Sequence, residues 1–211
     1  MRLLVSGSTL KLRELLPGNE DVLGMIVAPS CGKRVPAMLK SGLPWAADNG
    51  AFSGFAPERF RAFLRKIAGR PGCLFLAVPD VVGRARATLS RFHEWALECR
   101  AAGQPLALVG QDGLEGLDVP WKLFDALFIG GSTRWKESQH AADLALAAKR
   151  RGHHVHMGRV NSRRRLRIAM SWGCDSCDGT GMSKFGDLHL ADLLRWRREL
   201  ARELAEPQLW S

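Results

Sequence analysis

The stretch Cys73–Gly113, "CLFLAVPDVVGRARATLSRFHEWALECRAAGQPLALVGQDG", decides the fold class. It begins with an apolar run typical of a buried strand, continues as a helical pattern that ends close to a glycine, and returns to a second apolar run. A strand, a helix and a strand in this order predict a βαβ unit. The two strands of such a unit lie parallel and are joined by a right-handed crossover.

The same alternation extends in both directions from this unit. The apolar runs are "RLLVSGS", "VLGMIVAPS", "PWAADNG", "CLFLAVPDVVG", "PLALVGQDG", "ALFIGGST", "HVHMGRV" and "CDSCDGT". Helical patterns include "PERFRAFLRKIAG", "ARATLSRFHEWALECRAAG", "KESQHAADLALAAKRRG", "SRRRLRIAMSWG" and "LADLLRWRRELARELAEP". Eight such strands in a chain of 211 residues predict a single-domain (β/α)₈ TIM-type barrel over residues 1–211. A doubly wound open sheet is the structural alternative.

The charge of the chain is strongly positive and unevenly distributed. Its 31 Lys and Arg residues against 21 Asp and Glu residues give a net charge of +10, and no acidic residue occurs between Lys149 and Cys174. Because like charges at this density repel one another, we expect a polyanion, with nucleic acid as the leading partner. The alternative is a solvated basic helix face. The candidate nucleic-acid-binding residues are Arg159, Arg163, Arg164, Arg165 and Arg167.

The start of the chain and the cysteines bear on location and metals. The stretch "MRLLVSGSTLKLRELLPG" has one short apolar run, so we expect neither a signal peptide nor a membrane partner, and a cytoplasmic protein. Cys174 and Cys177 have the spacing of metal ligands, but a zinc site needs a second pair, for which His153, His154 and His156 are the candidates. The favoured prediction is no metal and no cofactor, with zinc at the two cysteines as the alternative.

Polar residues and glycines follow the predicted strands at the end where a parallel barrel places its active site. They are Asp48 and Asn49, Asp80, Gln111 and Asp112, Gly130 and Gly131, Gly158 and Arg159, and Asp175 and Asp178. A single aspartate there is more often a helix cap than a catalyst, but several strands share the pattern. Two carboxylates at one centre can act as nucleophile and acid/base partner at a sugar anomeric carbon.

Several of these stretches resemble motifs of the tRNA-guanine transglycosylases. "WAADNGAFSGF" is similar to their "DSGGFQ", "ALVGQDG" to "VQGG", and "FIGGSTRW" to "GGLAVGE". "HVHMGRVNSRRRLRIAMSWGCDSCDGT" is similar to "HLMGVG…GVDMFDC", and the matches keep the same order. The chain resembles most the short phage-encoded DNA transglycosylases of the DpdA type, often labelled queuine tRNA-ribosyltransferase-like. No cysteine follows Cys177, so a zinc subdomain is not expected, which favours DNA over tRNA as substrate.

The resemblance implies a DNA-guanine transglycosylase that exchanges guanine for a 7-deazaguanine such as preQ0, in the host cytoplasm if the protein is phage-encoded. It implies Asp178 as the nucleophile that forms a covalent aspartyl-deoxyribose intermediate, and Asp48 as the second carboxylate. The implied base-binding residues are Asp80, Gln111, Gly130 and Gly131. Separately, Phe52 or Phe55 follows closely after Asp48 and is a candidate to stack on a flipped-out base, with a core position as the alternative. The alternatives are a tRNA-guanine transglycosylase, a non-catalytic nucleic-acid-binding barrel, or a glycosylase that removes a base without replacing it.

Overall fold

The strands of the computed structural model, which describes residues 1–6, 9–179 and 187–205, form a closed barrel in chain order. All neighbouring strands are parallel. They are β1 (Arg2–Val5), β2 (Leu23–Val27), β3 (Trp45–Ala47), β4 (Cys73–Ala77), β5 (Leu106–Gly110), β6 (Ala126–Ile129), β7 (His154–Met157) and β8 (Ser176–Asp178). The predicted (β/α)₈ barrel is confirmed, and the open-sheet alternative is wrong.

The barrel closes where β1 pairs with β8, with Leu3 opposite Cys177 and Leu4 opposite Asp178. Both faces of these strands are covered, as is usual in a parallel sheet. One face packs under the surrounding helices, and the other fills the barrel interior. The interior cluster consists of Leu4, Ile26, Ala46, Phe75, Ala107 and Ala126, with Leu74 and Phe128 packed against it.

The helices surround the barrel and cover the outer faces of its strands. They are α1 (Thr9–Leu15), α2 (Val35–Leu39), α3 (Pro57–Ile67), α4 (Ala85–Arg100), α5 (Thr133–Lys136), α6 (Gln139–Arg150), α7 (Arg163–Ser171) and α8 (Asp187–Ala205). In α3, Phe60, Phe63 and Ile67 are buried, which is the spacing of one helix face. None of the helices within the described ranges is long and apolar enough to cross a membrane.

One helix differs from its prediction in a way that matters for the site. The pattern "KESQHAADLALAAKRRG" predicts a single helix from Lys136, but α6 begins only at Gln139. Ser138 caps it by accepting a hydrogen bond from the Ala141 amide. Lys136 instead ends the separate short helix α5, whose cap is Ser132. Lys136 is therefore not part of α6, and its side chain is buried instead of lying on the exposed face of that helix.

Candidate active site

A pocket of about 280 Å³ lies at the carboxyl ends of the strands, where a parallel barrel places its catalytic groups. The structure brings these predicted residues together in its lining: Asp48, Phe52, Asp80, Gln111, Gly130, Gly131, Arg159 and Asp178. The remaining predicted residues, Arg163, Arg164, Arg165 and Arg167, do not line it. The pocket also contains Lys136, which the sequence analysis did not single out.

Asp178 ends β8 and faces this pocket. Its Oδ1 accepts a hydrogen bond of 2.7 Å from the Arg159 amide. Burial raises the pKa of Asp178, and the Arg159 amide and the Lys136 ammonium oppose that rise. Asp175 is engaged elsewhere, since its carboxylate accepts hydrogen bonds from Lys149 Nζ at 2.6 Å and from the Val155 amide at 2.8 Å. Asp178 is therefore the carboxylate of this pair that can meet a ligand.

Asp48 follows β3 and contributes a second carboxylate to the pocket. Burial, and then the negative charge of Asp178, raise the pKa of Asp48 to about 6. The amide of Gly50 partly stabilises the charged form through a hydrogen bond of 3.3 Å to Oδ1. A carboxyl group that titrates close to neutral pH can both release and accept a proton under working conditions.

Asp80 and Gln111 form a buried framework on one wall of the pocket. Asp80 accepts hydrogen bonds from Asn49 Nδ2 at 2.9 Å and from Gln111 Nε2 at 2.6 Å. Gln111 Oε1 accepts from the amides of Gly83 at 2.7 Å and Gly131 at 3.0 Å. Both ends of the Gln111 amide thus have protein partners. These contacts hold neighbouring loops together. Recognition of a base would require an amide edge that is free to form hydrogen bonds, and both ends of the Gln111 amide are already engaged.

The glycines that follow β6 and β7 are explained by packing. A Cβ on Gly131, whose φ is +67°, would lie 2.5 Å from Trp135 Cε3, and one on Gly158 would lie 2.5 Å from Phe128 Cε2. A Cβ on Gly130 would lie 2.8 Å from a valine methyl. Larger residues do not fit at these positions, so the glycine pattern follows from close packing in the barrel wall.

Lys136 is the functional candidate that sequence reasoning missed. The residue is only 1% exposed, and its Nζ donates a hydrogen bond of 2.8 Å to the Gly158 carbonyl oxygen. Burial lowers the pKa of Lys136 to about 7, with a further lowering from the positive charge of Arg159. The sequence does contain a signal for this position, the pair of serines at positions 132 and 138. Serine commonly caps helices, and these two serines indicate that the helix is interrupted beside Lys136.

Contacts on both sides of Lys136 fix its position. Ser132 donates from its amide and its hydroxyl to Asp112, at 2.7 Å and 2.5 Å, so that the start of α5 is tied to the end of β5. Glu137, directly after Lys136, accepts a hydrogen bond of 2.7 Å from Arg165 Nε. The short helix is thus anchored at both ends, and its lysine is directed into the pocket.

Arg159 lies across one side of the pocket. It has a φ of 60° and is the one non-glycine residue with positive φ among the described residues. Its guanidinium group stacks over the ring of Phe52, 5.1 Å from the ring centroid, and hydrogen bonds to the Gly131 carbonyl oxygen. Phe52 is 70% exposed, so this pair forms part of the pocket rim. Strained backbone of this kind is concentrated at functional sites.

The other predicted arginines lie on α7, outside the pocket, and are paired with carboxylates. Arg163 and Arg167 contact Glu203 on α8, and Arg164 and Arg165 contact Glu137. These pairs provide the charge compensation for which the sequence analysis invoked a polyanion. A nucleic acid is therefore not needed to balance the charge of these arginines, and nucleic acid as a partner stays a prediction.

The two cysteines considered as zinc ligands are buried free thiols. Burial raises the pKa of Cys174 to about 12, and that of Cys177 well above its ordinary value. Zinc binds the thiolate, which this environment disfavours. In the part of the chain that the structure describes, no group of three or more His, Cys, Asp or Glu side chains is arranged to hold a metal ion.

Comparisons with known proteins leave the family open and support the fold. No family model matches the chain, and no curated protein matches it. A solved structure described as "Native KDPGal structure" has a TM-score of 0.56 and 16% sequence identity, over 95% of this chain and 93% of that one. The likeness is one of fold.

The resemblance to the tRNA-guanine transglycosylases is therefore wrong. No family model and no curated relative supports it, and a solved structure that matches over nearly the whole chain carries a different description, "Native KDPGal structure". Exchange of guanine for a deazaguanine in DNA, the same exchange in tRNA, and the phage setting fall with it. The non-catalytic nucleic-acid-binding barrel, which rested on the arginines, is not supported by the solved structure either. The short motifs have local causes instead, because Gly131 and Gly158 are required by packing and Gln111 bonds to its neighbours.

The arrangement of the pocket is nevertheless that of an enzyme. A buried amine with a lowered pKa lies among carboxyl groups with raised pKa values in one cavity. Perturbed titratable groups cluster in this way at catalytic sites. The expectation of an enzyme is thus in keeping with both the site and the fold, and the expectation of a glycosyltransferase is not.

Proposed function

We propose that the protein is a lyase of the aldolase type, which holds a small carbonyl compound as a Schiff base on Lys136. The observation that carries the proposal is the Lys136 amine, buried in the mouth of the barrel with its pKa lowered to about 7. The barrel fold, which the chain shares with the structure described as "Native KDPGal structure", supports the proposal because it places this amine at the face where barrels carry their catalytic groups.

The environment of Lys136 favours a nucleophilic amine. A lysine attacks a carbonyl carbon only in its neutral form, and lysines gain this form through burial or a neighbouring cation. Both causes act here, since burial is the larger influence and the Arg159 guanidinium is the second. With a pKa of about 7, roughly half of the Lys136 side chains are neutral at neutral pH.

The reaction proceeds from that amine in balanced steps. Lys136 Nζ attacks the substrate carbonyl carbon to give a carbinolamine. A carboxylic acid group of the pocket protonates the carbinolamine hydroxyl, which leaves as water and gives a protonated imine. A carboxylate then removes the proton of a hydroxyl group two carbons from the imine carbon, and the bond between the hydroxyl-bearing carbon and the carbon next to the imine breaks. Its electron pair moves to the imine, an aldehyde leaves, and an enamine remains. Protonation of the enamine carbon and hydrolysis of the imine release the second product and restore the amine.

Asp178 and Asp48 are the groups available for the proton transfers. Asp178 lies near enough to Lys136 for their charges to influence each other, and the negative charge of Asp178 raises the pKa of Asp48. Such a pair favours one protonated and one charged carboxyl group near pH 6. We assign proton removal to Asp178, whose charged form is stabilised by the Arg159 amide, and proton delivery to Asp48.

The size and polarity of the pocket limit the substrate class. A volume of about 280 Å³ fits a small metabolite. The carboxylates can accept hydrogen bonds from hydroxyl groups, and Arg159 at the rim can pair with an anion. A small hydroxylated 2-oxo acid combines the carbonyl, hydroxyl and anionic groups that these residues would bind.

The proposal is tested by chemical trapping of the Schiff base. The protein is incubated with sodium cyanoborohydride and one small carbonyl compound at a time, drawn from a panel of 2-oxo acids and hydroxyaldehydes. Its intact mass is then measured. We expect a covalent adduct with at least one 2-oxo acid for the wild type and for Lys122→Met, which alters an exposed lysine. We expect none for Lys136→Met. An adduct that persists in Lys136→Met, or no adduct with any compound, would overturn the proposal.

A further inference from the structure

Three polar side chains form a chain of contacts inside the barrel, beneath Asp178. His156 and Ser176 are opposite one another on β7 and β8, and both are fully buried. Ser176 Oγ lies 2.9 Å from His156 Nδ1 and 2.7 Å from His154 Nε2. Nothing in the reaction described above uses these residues, yet buried polar groups are costly unless they are paired.

The other ring nitrogen of His156 points toward the active site. His156 Nε2 is buried and has no hydrogen-bond partner among the described residues. Asp178 Oδ1 lies 4.0 Å from it. The rings of Phe75 and Phe128 pack around the imidazole, with centroids 4.9 Å and 4.5 Å from its own. The imidazole is thus held in place between apolar rings, with one nitrogen directed at the Asp178 carboxylate.

The donors and acceptors among His154, Ser176 and His156 can be assigned from the number of protons that the His156 ring carries. Burial lowers the pKa of His156 well below its usual range, so that the ring is neutral and carries one N–H. A lone pair on Nε2 would face the negative Asp178 oxygen, whereas a proton there is attracted to it. The Ser176 hydroxyl then donates to Nδ1 and accepts from His154 Nε2–H. Each proton in the chain thereby points in the same direction, toward Asp178.

We propose that His156 is a positioning residue for Asp178, and that Ser176 fixes the imidazole tautomer that makes this possible. The inference rests on the proposed function for its catalytic meaning. His156 Nε2–H supports the charged form of Asp178, which must be present to remove the substrate proton. Contacts to catalytic groups are often long without substrate and shorten when it binds, so 4.0 Å is a distance from which a hydrogen bond can form.

Several other charged or titratable groups face these two residues and contribute to any pH dependence. Those that influence Asp178 or face it across the pocket are Lys136, Arg159 and Asp48, and those that influence His156 are His154 and Lys136. Lys136 and Arg159 favour the charged form of Asp178, as His156 does. A test must therefore change the imidazole without changing these groups.

The first experiment measures the tautomer in the full-length wild-type protein, without substrate. Imidazole nitrogen chemical shifts from ¹⁵N-histidine NMR distinguish a proton on Nε2 from one on Nδ1. We expect His156 to be neutral with its proton on Nε2, and to become a mixture of tautomers in Ser176→Ala. A proton on Nδ1 in the wild type would overturn the proposal.

The second experiment measures Asp178 directly, by its side-chain ¹³C carboxyl titration in two variants of His156. His156→Leu removes the donor and should raise the pKa of Asp178. His156→Gln offers an amide donor at about the position of Nε2 and should restore the pKa toward that of the wild type. Equal pKa values in the wild type and His156→Leu, with the fold intact by NMR, would also overturn the proposal.

Activity separates this inference from the proposed function. If Lys136 is trapped as an imine, His156→Leu should move the acidic limb of the kcat–pH profile to higher pH by about one pKa unit, which is a loss of kcat of about tenfold on that limb, with little change in KM. His156→Gln should recover most of the rate. An unchanged kcat in His156→Leu would refute the positioning role. If Lys136 cannot be trapped but the Asp178 titration still depends on His156, the positioning stands and the proposed lyase reaction fails.

Discussion

Lys136 Nζ donates a hydrogen bond of 2.8 Å to the carbonyl oxygen of Gly158, which joins the end of a short helix to the end of β7. A side chain at Gly158 would collide with Phe128, so close packing requires a glycine at the point where the lysine makes its contact. This contact places the amine in the pocket beside Asp178. The account of the site depends on this relationship.

Replacing Lys136 with methionine should stabilise the protein at neutral pH while it abolishes Schiff-base formation. The native pKa is lowered from 10.5 to about 7, so the folded state binds fewer protons than the unfolded state between these values. The unfolding free energy of the wild type therefore rises with pH in this window. We expect Lys136→Met to be more stable at neutral pH, by on the order of 2 kcal/mol, because a buried charge is removed.

The measurement is urea unfolding of both proteins from pH ~7 to ~10, the window of that pKa shift. The difference in unfolding free energy between Lys136→Met and the wild type should become smaller as the pH rises. Lys122→Met should show no comparable trend, because Lys122 is exposed. An advantage that stays constant with pH would mean that Lys136 is an ordinary charged lysine.

Replacing Asp48 with asparagine should stabilise the protein above pH ~6. The pKa of Asp48 is raised from 3.8 to about 6, so the folded state binds more protons in this window and its stability falls as the pH rises through it. Asparagine does not ionise, and it removes at most about 3 kcal/mol of this penalty. Chemical denaturation at acid and neutral pH should show that the free energy of unfolding of the variant exceeds that of the wild type only toward neutral pH. A gain of equal size at pH ~4 would exclude ionisation as the cause.

Replacing Arg159 with glycine should raise the pKa of Lys136, because the arginine charge is the second cause of its lowering. The rate of reductive trapping should then reach its half-maximum at a higher pH. Phe52→Ala is the matched control, since it removes the ring under the guanidinium and leaves the charge in place. Identical pH profiles for Arg159→Gly and the wild type would show that Arg159 does not influence the amine.

Replacing Gly131 with alanine should destabilise the fold by more than about 1 kcal/mol. The residue has a φ of +67°, and the new Cβ would lie 2.5 Å from Trp135 Cε3. Gly116→Ala is the control, because a Cβ there has no neighbour within 4 Å and Gly116 is exposed. Thermal unfolding should separate the two variants clearly. Equal melting temperatures would refute the packing explanation of the glycine pattern.

The sequence was sufficient to predict the barrel, because its evidence is local and repeated. Each strand is a short apolar run and each helix an amphipathic one, and their alternation leaves few topologies. The convergence of Asp48, Asp80 and Asp178 followed from the same regularity, since the ends of parallel strands meet at one face of a barrel.

Other parts of the site depend on contacts that sequence patterns do not reveal. Lys136 resembles the first residue of a surface helix, and only the break at Ser138 turns it inward. Arg163 and Arg167 both pair with Glu203, and Arg163 also pairs with Glu199; both acidic residues lie on α8, far along the chain. The family resemblance failed for a related reason, because glycines and polar residues at strand ends have packing causes that are common to barrels.

The most direct test of the central claim is to locate the trapped adduct within the chain. Wild-type protein reduced with cyanoborohydride in the presence of a reactive 2-oxo acid is digested, and its peptides are sequenced by mass spectrometry. The account predicts that the added mass lies on Lys136, with other lysines such as Lys122 unmodified. Modification spread over exposed lysines, with Lys136 unmodified, would contradict it.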